Sequence, residues 1–142
     1  EGPWGANPGT NDTTDHLECR QSFAILMTDG IWNGTNPDVG NIDNTAGPSY
    51  TNPDPDGEDF SYQPGSPFSD THSNTLADVA MKYWKNDLRS DLDNEVPPSS
   101  VDPAFWQHMV TFTVGLGVAG EISEAEATAA RACSQSRLRE CR

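Results

Sequence analysis

The chain has 142 residues, of which 34% are apolar, and its 22 acidic residues outnumber 8 basic ones to give a formal net charge of −14. This length fits one domain, and the charge excludes nucleic acid as a partner, because binding a phosphate backbone requires clustered Lys and Arg. No apolar run approaches the roughly 20 residues that cross a bilayer, so we expect no transmembrane segment. The acidity either attracts a cation such as Ca²⁺, which prefers hard oxygen ligands, or only keeps a secreted surface soluble.

Three cysteines occur, an odd number that in an exported protein leaves one thiol free or paired with another chain. Cys133 and Cys141 are eight residues apart, which is about 12 Å along a helix and beyond the reach of a disulfide. An internal bridge then joins Cys19 to one of these two. We take Cys19–Cys133 as the working hypothesis.

A run of five apolar residues at 23–27 predicts the first β-strand, over roughly 22–28. A continuous apolar run is typical of a strand covered on both faces, as in a parallel sheet. Thr28 and Asp29 follow at the carboxyl end of this strand, where open α/β sheets bind ligands, and Gly30 permits a sharp exit. Asp29 is therefore the best candidate for chemistry in the chain.

The segment 30–72 has neither a helical nor a strand period and is rich in Asn, Asp, Gly, Pro and Ser. Irregular segments of this length in compact domains are usually functional or disordered. Two groups of closely spaced oxygen-bearing side chains in it are candidate cation ligands. They are Asp38, Asn41 and Asp43, and then Asp54, Asp56 and Asp59. The second group does not fit the EF-hand spacing, and a solvated acidic loop is the favoured interpretation of both groups.

The clearest helix begins near Thr75, which forms a capping-box pattern with Asp78. Apolar residues then recur at helical spacing and predict one apolar stripe. The stripe comprises Leu76, Val79, Ala80, Tyr83, Trp84 and Leu88. A short helical turn at 102–106 leads into a second strand at 108–118, where apolar residues alternate with Thr and Gly. Strand, crossover helix and strand form a βαβ unit, so we expect a parallel α/β sheet.

The final segment, residues 121–142, is rich in Ala and predicts a C-terminal helix with a weak apolar face. The chain accordingly divides into a domain of residues 1–120, with the long loop at 30–72, and a helical tail of residues 121–142. Five aromatic residues are expected to pack in the core or in loops rather than to form a ligand platform. They are Trp32, Tyr83, Trp84, Phe105 and Trp106. His108 is expected to be a hydrogen-bonded core or edge residue.

Four blocks of the sequence resemble the von Willebrand factor A-like domain of PilC/PilY-type proteins, the tip proteins and adhesins of type IV pili. The blocks read CRQSFAILMTDGIWNG at 19–34, NTLADVAMKYWKNDL at 74–88, DNEVPP at 93–98 and FWQHMVTFTVGLGV at 105–118. Thr-Asp-Gly alone is common, whereas its combination with the other blocks is specific. Together they span about residues 19–120.

The resemblance implies a partial von Willebrand factor A-like, Rossmann-type fold. Family members carry an Asp-x-Ser-x-Ser motif on an earlier strand and a carboxyl-terminal β-propeller, and neither is found in these 142 residues. We therefore expect the second half of such a domain, as a processed fragment, a truncated subunit or a small dedicated relative. In the family pattern Asp29 is the aspartate of a metal-ion-dependent adhesion site, to which Thr28 adds a hydroxyl, and the implied cofactor is Mg²⁺ or Ca²⁺.

The implied function is that of a non-enzymatic protein of the pilus, active in biogenesis, tip adhesion or surface sensing at the bacterial cell surface. Its partners would be other pilus proteins, the remainder of the same adhesin, or a host or surface ligand. The alternative is a structural subunit that completes a larger fold or filament through contacts with other chains. An enzyme is not predicted, because no motif fixes two of the many carboxylates on rigid elements.

Overall fold

A computed structural model describes residues 4–5, 17, 19–28 and 34–115 of the chain. Its elements in chain order are β1 (Ser22–Thr28), β2 (Ser49–Tyr50), β3 (Phe60–Ser61), α1 (Leu76–Lys85) and β4 (Met109–Gly115). Strands β1 and β4 pair in parallel, and β2 pairs with β3 in antiparallel orientation. The predicted parallel α/β arrangement is therefore present, with α1 lying between the two parallel strands in sequence.

The parallel pair is covered less fully than its apolar sequence predicts. Alternate residues of β1 are exposed, with 57% of Phe23, 70% of Ile25 and 63% of Met27 accessible to solvent. In the pairing register Ile25 lies opposite Phe112 and Met27 opposite Val114, and both β4 residues are exposed as well. The expectation of a strand covered on both faces is therefore wrong for the described structure. Within the described residues the parallel sheet has two strands, and one of its faces is exposed.

Helix α1 begins as its sequence predicts, with Thr75 as N-cap. The Thr75 hydroxyl accepts a hydrogen bond from the Asp78 amide, and the Asp78 carboxylate accepts one from the Thr75 amide, which completes the capping box. The buried face differs from the predicted stripe, because Ala77, Ala80 and Met81 are buried whereas 42% of Tyr83 is exposed. The buried face of α1 is therefore centred on Ala77, Ala80 and Met81 and leaves Tyr83 partly exposed.

The core is built around Trp106, which is 5% exposed. Its ring stacks on Phe60 with 3.8 Å between ring centroids and meets Trp84 and Phe105 edge to face at 5.2 and 5.4 Å. Tyr50 packs beside both Phe60 and Trp106. We call these five residues the aromatic cluster. The predicted packing role of Trp84, Phe105 and Trp106 is confirmed, and Trp32 lies outside the described residues.

Two local features were not predicted correctly. The pair of two-residue strands β2 and β3 lies inside the segment that the sequence marks as irregular, and it delivers Tyr50 and Phe60 to the aromatic cluster. The expected helical turn at 102–106 is absent, because those residues form an extended path and a bend. Among the described residues, no helix combines the length and the apolar character needed to cross a membrane.

Candidate functional site

The carboxyl edge of the parallel pair is where the sequence places the adhesion site. Thr28 ends β1 and pairs with Gly115, the last residue of β4, so both strands end at the same edge. Thr28 is half-buried there. Asp29 follows directly but lies outside the described residues, so its role stays a prediction. The structure thus fixes the position of Thr28, the residue that precedes Asp29 in the sequence.

The acidic segment 52–59 folds into a tight loop in which carboxylates accept hydrogen bonds from backbone amides of the same loop. Asp54 Oδ1 accepts a hydrogen bond from the Asp56 amide at 3.0 Å, and Asp59 Oδ1 accepts one from the Asn52 amide at 2.9 Å. Residues 53–59 are all exposed. Within the described part of the chain, no group of three or more His, Cys, Asp or Glu side chains is gathered to hold a metal ion. In this conformation the three predicted ligands Asp54, Asp56 and Asp59 therefore do not converge.

Sequence reasoning missed Asn52 as the residue that organises this loop. Its side-chain amide donates to the carbonyl of Glu58 and its Oδ1 accepts from the Asp54 amide. A Cβ at position 57 would run into the Asn52 side chain, so any residue larger than Gly57 would displace that side chain. Counted from Asn52, the residues at positions one, three, five and six follow the first half of an EF-hand loop, whereas Gln63 replaces its terminal Glu. Starting the count at Asn52 is the signal that could have found it.

A second polar group surrounds Asp43, which is completely buried. The group comprises Asp43, Asp70, Asp78 and Lys85, and we call it the Asp43 cluster. The Asp78 carboxylate accepts hydrogen bonds from the amides of Ile42 and Asp43 in addition to its capping bonds. A solvated loop is therefore the wrong interpretation of Asp43, although it holds for the exposed Asp38.

Lys85 closes the Asp43 cluster from the last turn of α1. Although it is a lysine, it is 3% exposed, and its ammonium donates to the carbonyls of Ile42 and Thr45 at 2.9 and 2.6 Å. The ammonium also lies 4.6 Å from the ring centroid of Tyr62, a cation–π contact. These bonds hold the segment 42–45 against the helix, so the cluster is a rigid part of the fold.

Electrostatics in the Asp43 cluster follow from its burial. The pKa of Asp43 is raised to about 6, chiefly by desolvation; the hydrogen bond from the Asp70 amide opposes this shift, the charges of Asp78 and Asp70 contribute to it, and the Lys85 ammonium opposes it. Desolvation lowers the pKa of Lys85, and the charge of Asp43 opposes that change. Both shifts show that the charged forms lie in a poorly solvated space.

His108 has the structural role that its sequence context predicts. It is 1% exposed, with Nδ1 2.6 Å from the carbonyl oxygen of Trp106 and Nε2 3.0 Å from Oδ2 of Asp102. Burial lowers the pKa of His108, and the hydrogen bond to the Trp106 carbonyl raises it. The ring therefore links Asp102 to the aromatic cluster as a hydrogen-bonded core residue.

The predicted disulfide is not tested by the described residues. Cys19 is exposed and carries a free thiol in the structure. Its hypothetical partner Cys133 lies outside the described residues, as do Cys141 and the predicted tail of residues 121–142. The Cys19–Cys133 pairing therefore stays a prediction.

Comparison with known proteins supplies the relationship that the geometry alone does not. PilY1 of Pseudomonas aeruginosa strain PAK is 42% identical over 133 residues, which cover 82% of this chain and 11% of that protein. PilY1 of strain UCBPP-PA14 is 42% identical over 128 residues, which cover 78% of this chain and 10% of that protein. Both are named type IV pilus biogenesis factors. No family profile and no solved structure matches the chain.

The chain spans about a tenth of the length of the curated relatives that it matches. Within that tenth, the alignment takes in most of the chain, including the segment 30–72 that sequence reasoning could not assign to regular structure. The resemblance to PilY-type pilus proteins is confirmed, and the chain is related to a limited portion of the PilY1-type proteins.

Proposed function

We propose that this chain is a non-enzymatic segment of a type IV pilus protein and acts at the bacterial cell surface. The observation that carries the proposal is the 42% identity to PilY1, a type IV pilus biogenesis factor, over 82% of the chain. Its proposed roles are pilus biogenesis, tip adhesion or surface sensing. Its proposed partners are other pilus proteins or the remainder of the same adhesin, with a host or surface ligand for the adhesive role.

Within this function we propose a cation-assisted contact at the carboxyl edge of β1 and β4, with Asp29 and Thr28 as ligands of Mg²⁺ or Ca²⁺. The support is positional. Thr28 and Gly115 end neighbouring parallel strands, and ligands of open α/β sheets bind outside such ends. A Mg²⁺ ion needs only one or two protein carboxylates when waters or a partner complete its shell. At this site a carboxylate of the partner would complete the coordination shell of the ion.

The exposed loop at 52–59 is the second proposed cation contact, with Asp54, Asp56 and Asp59 as ligands. The support is the Asn52-x-Asp54-x-Asp56-Gly57 spacing together with the exposure of the loop. Binding there requires the Asp54 and Asp59 carboxylates to exchange their backbone hydrogen bonds for a cation. Such an exchange would make this loop sensitive to the cation concentration outside the cell.

A genetic replacement tests the proposed function. The corresponding portion of PilY1 is exchanged for this chain, and surface pili and adherence are measured in the parent, the exchange strain and a strain that lacks the portion. We expect the exchange strain to keep pili and adherence. An Asp29→Ala change in the exchanged segment should lower adherence while leaving the pilus number unchanged. Pili and adherence that are indifferent to deletion of the portion would refute the proposal.

The open face of the parallel pair favours the second candidate function, a structural subunit that completes a larger fold or filament. Phe23, Ile25 and Met27 of β1 are exposed beside Phe112 and Val114 of β4, and the Phe23 and Phe112 rings lie 6.3 Å apart. Parallel sheets are normally covered on both faces. A contiguous apolar face of this kind is typical of an interaction surface.

A further inference from the structure

We propose that Asp43 and Asp70 form a binding site for a divalent cation of the calcium type, inside the fold and apart from the adhesion contacts proposed above. Sequence reasoning assigned Asp43 to a solvated loop and did not single out Asp70. The inference does not depend on the pilus function, because it follows from the geometry of the described residues alone.

Two buried carboxylate oxygens carry the proposal. Oδ2 of Asp43 and Oδ2 of Asp70 are both buried and have no hydrogen-bond partner. Asp43 is 0% exposed, so bulk water does not reach its free oxygen. An ionised oxygen that is buried without a donor is costly, and native structures rarely keep one unless a bound group satisfies it.

The backbone of Asp70 lies beside the Asp43 carboxylate. The Asp70 amide donates to Oδ1 of Asp43 at 3.4 Å, and the Asn41 side chain donates to the Asp70 carbonyl at 3.2 Å. Oδ1 of Asp70 accepts a hydrogen bond from the His72 amide at 2.6 Å, and His72 Nδ1 lies 3.4 Å from the same oxygen. Each carboxylate thus uses one oxygen for the protein and leaves the other for a ligand.

The third carboxylate of the cluster, that of Asp78, differs from the other two because both of its oxygens accept hydrogen bonds. Both oxygens of Asp78 are occupied, one by the amides of Ile42 and Asp43 and the other by the amide and hydroxyl of Thr75. Asp78 is therefore a positioning residue that holds the Asp43 backbone in place. It is not a proposed ligand, which agrees with a site that gathers only two carboxylates.

Charge balance points to a cation rather than to a neutral occupant. When all are ionised, the carboxylates of Asp43, Asp70 and Asp78 outnumber the single ammonium of Lys85, whose hydrogens are directed to the Ile42 and Thr45 carbonyls. Two negative charges then remain unbalanced in a poorly solvated space. A divalent cation would neutralise both, whereas a water molecule would neutralise neither.

Burial favours Ca²⁺ over Mg²⁺ as the occupant. Mg²⁺ gives up its waters reluctantly and usually keeps several of them, which a carboxylate with no solvent exposure cannot accommodate easily. Ca²⁺ accepts irregular sets of six to eight oxygens at roughly 2.3–2.6 Å. Further ligands would come from backbone carbonyls of the segment 41–45, a ligand type that Ca²⁺ accepts. The carbonyls of Asn41, Asp43 and Thr45 each accept one hydrogen bond, and a carbonyl oxygen has a second lone pair for a cation.

Binding of the full 142-residue chain to CaCl₂ and to TbCl₃ tests the proposal after treatment with EDTA. Tyr62 donates its hydroxyl to the Asp43 carbonyl at 2.6 Å, so its ring lies close enough to sensitise Tb³⁺ luminescence. We expect sensitised emission that Ca²⁺ displaces, and a melting temperature higher by roughly 5–10 °C at a hundredfold excess of Ca²⁺ over its dissociation constant.

Matched variants locate the ion. Asp43→Asn keeps an oxygen for the Asp70 amide and removes the charge, so it should weaken Ca²⁺ binding at least tenfold. Asp54→Asn removes the same charge from the exposed loop and should leave this binding unchanged. Asp70→Asn provides a second test if Asp43→Asn does not fold, as judged by circular dichroism.

Three results would overturn the proposal: no Ca²⁺-dependent shift in the parent chain, equal binding by the parent and Asp43→Asn, or loss of binding only in Asp54→Asn. The last result would instead support the loop contact of the proposed function. Stabilisation by MgCl₂ but not by CaCl₂ would overturn the assignment to calcium. Failure of the genetic replacement leaves these results unaffected, so the two proposals fail separately.

Discussion

Asp43 illustrates how burial changes the chemistry of one ordinary residue. In the sequence it lies among Gly, Asn and Asp, which is the composition of a solvated turn. In the structure it is buried beside helix α1, which has Asp78 in its capping box and Lys85 as its last residue. Its carboxylate is therefore removed from water, and one of its oxygens has no hydrogen-bond donor in return. Its neighbour Tyr62, also buried, seals the segment by bonding to the Asp43 carbonyl.

The first prediction concerns the pH dependence of stability without a bound cation. Burial raises the pKa of Asp43 from 3.8 to about 6, so the folded state binds a proton that the unfolded state releases over this range. The stabilisation by this proton is fully present below pH 4 and is lost as the pH rises through 6, a change on the order of 2–3 kcal/mol. Urea unfolding in EDTA at pH 4–7 measures it.

Asp43→Asn is the matched variant for that measurement, because it cannot ionise. Relative to the parent chain, we expect the variant to gain stability steadily between pH 4 and pH 6 and to keep the gain above it. Parallel pH profiles for the two proteins would contradict the prediction. Asp38→Asn, at an exposed position of the same segment, controls for the loss of one surface charge.

At the scale of elements, the sequence predicts the strands and the helix that have a local sequence pattern. It does not predict the features that depend on contacts between residues distant in the sequence. Strand β1, the cap of α1 and strand β4 follow from an apolar run, a capping box and strict alternation. Strands β2 and β3 have two residues each, which is too few for a sequence period. Their aromatic side chains are partly buried because they pack against Trp106. The cluster around Asp43 escapes prediction for the same reason, since residues up to 43 positions apart build it.

The cap of α1 provides the second prediction. Thr75→Ala removes the hydroxyl that accepts from the Asp78 amide and should cost about 1 kcal/mol. Asp78→Ala also leaves the amides of Ile42 and Asp43 without their acceptor, so we expect a loss of about 3 kcal/mol or more. Denaturant midpoints compare the two, and Thr75→Ser should retain the parent stability. Equal losses for both alanine variants would show that Asp78 acts only as a cap.

The aromatic cluster provides the third prediction. Trp106→Ala removes a buried ring that contacts Phe60 and Trp84 and whose Nε1 donates to the Trp84 carbonyl at 2.9 Å. We expect it to cost about 3–5 kcal/mol. Tyr83→Ala, at an exposed position of α1, should cost less than about 1 kcal/mol. Thermal unfolding measures both, and a similar loss at the two positions would place the core elsewhere.

At the scale of the whole molecule, the open face of β1 and β4 separates the two candidate functions. The apolar run at 23–27 correctly predicts a strand, but it cannot reveal what covers each face, since that depends on strands and helices beyond the run. The chain is related to about a tenth of a PilY1-type protein, and the second candidate function assigns the cover of this face to another part of such a protein or to another chain. An isolated chain with this face open should associate through it.

The last prediction follows from that association. Ile25→Thr combined with Phe112→Thr replaces two exposed apolar side chains that lie opposite each other in the register with residues that also favour strands. If the face drives association, light scattering should show the parent chain as oligomers and the double variant as a monomer, with the folded secondary structure retained. Tyr83→Thr, at an exposed aromatic position of α1, is the control and should leave the oligomers intact. A parent chain that is already monomeric at high concentration would instead favour the adhesive role. The exposed face of β1 and β4 would then be stable in water without a covering partner.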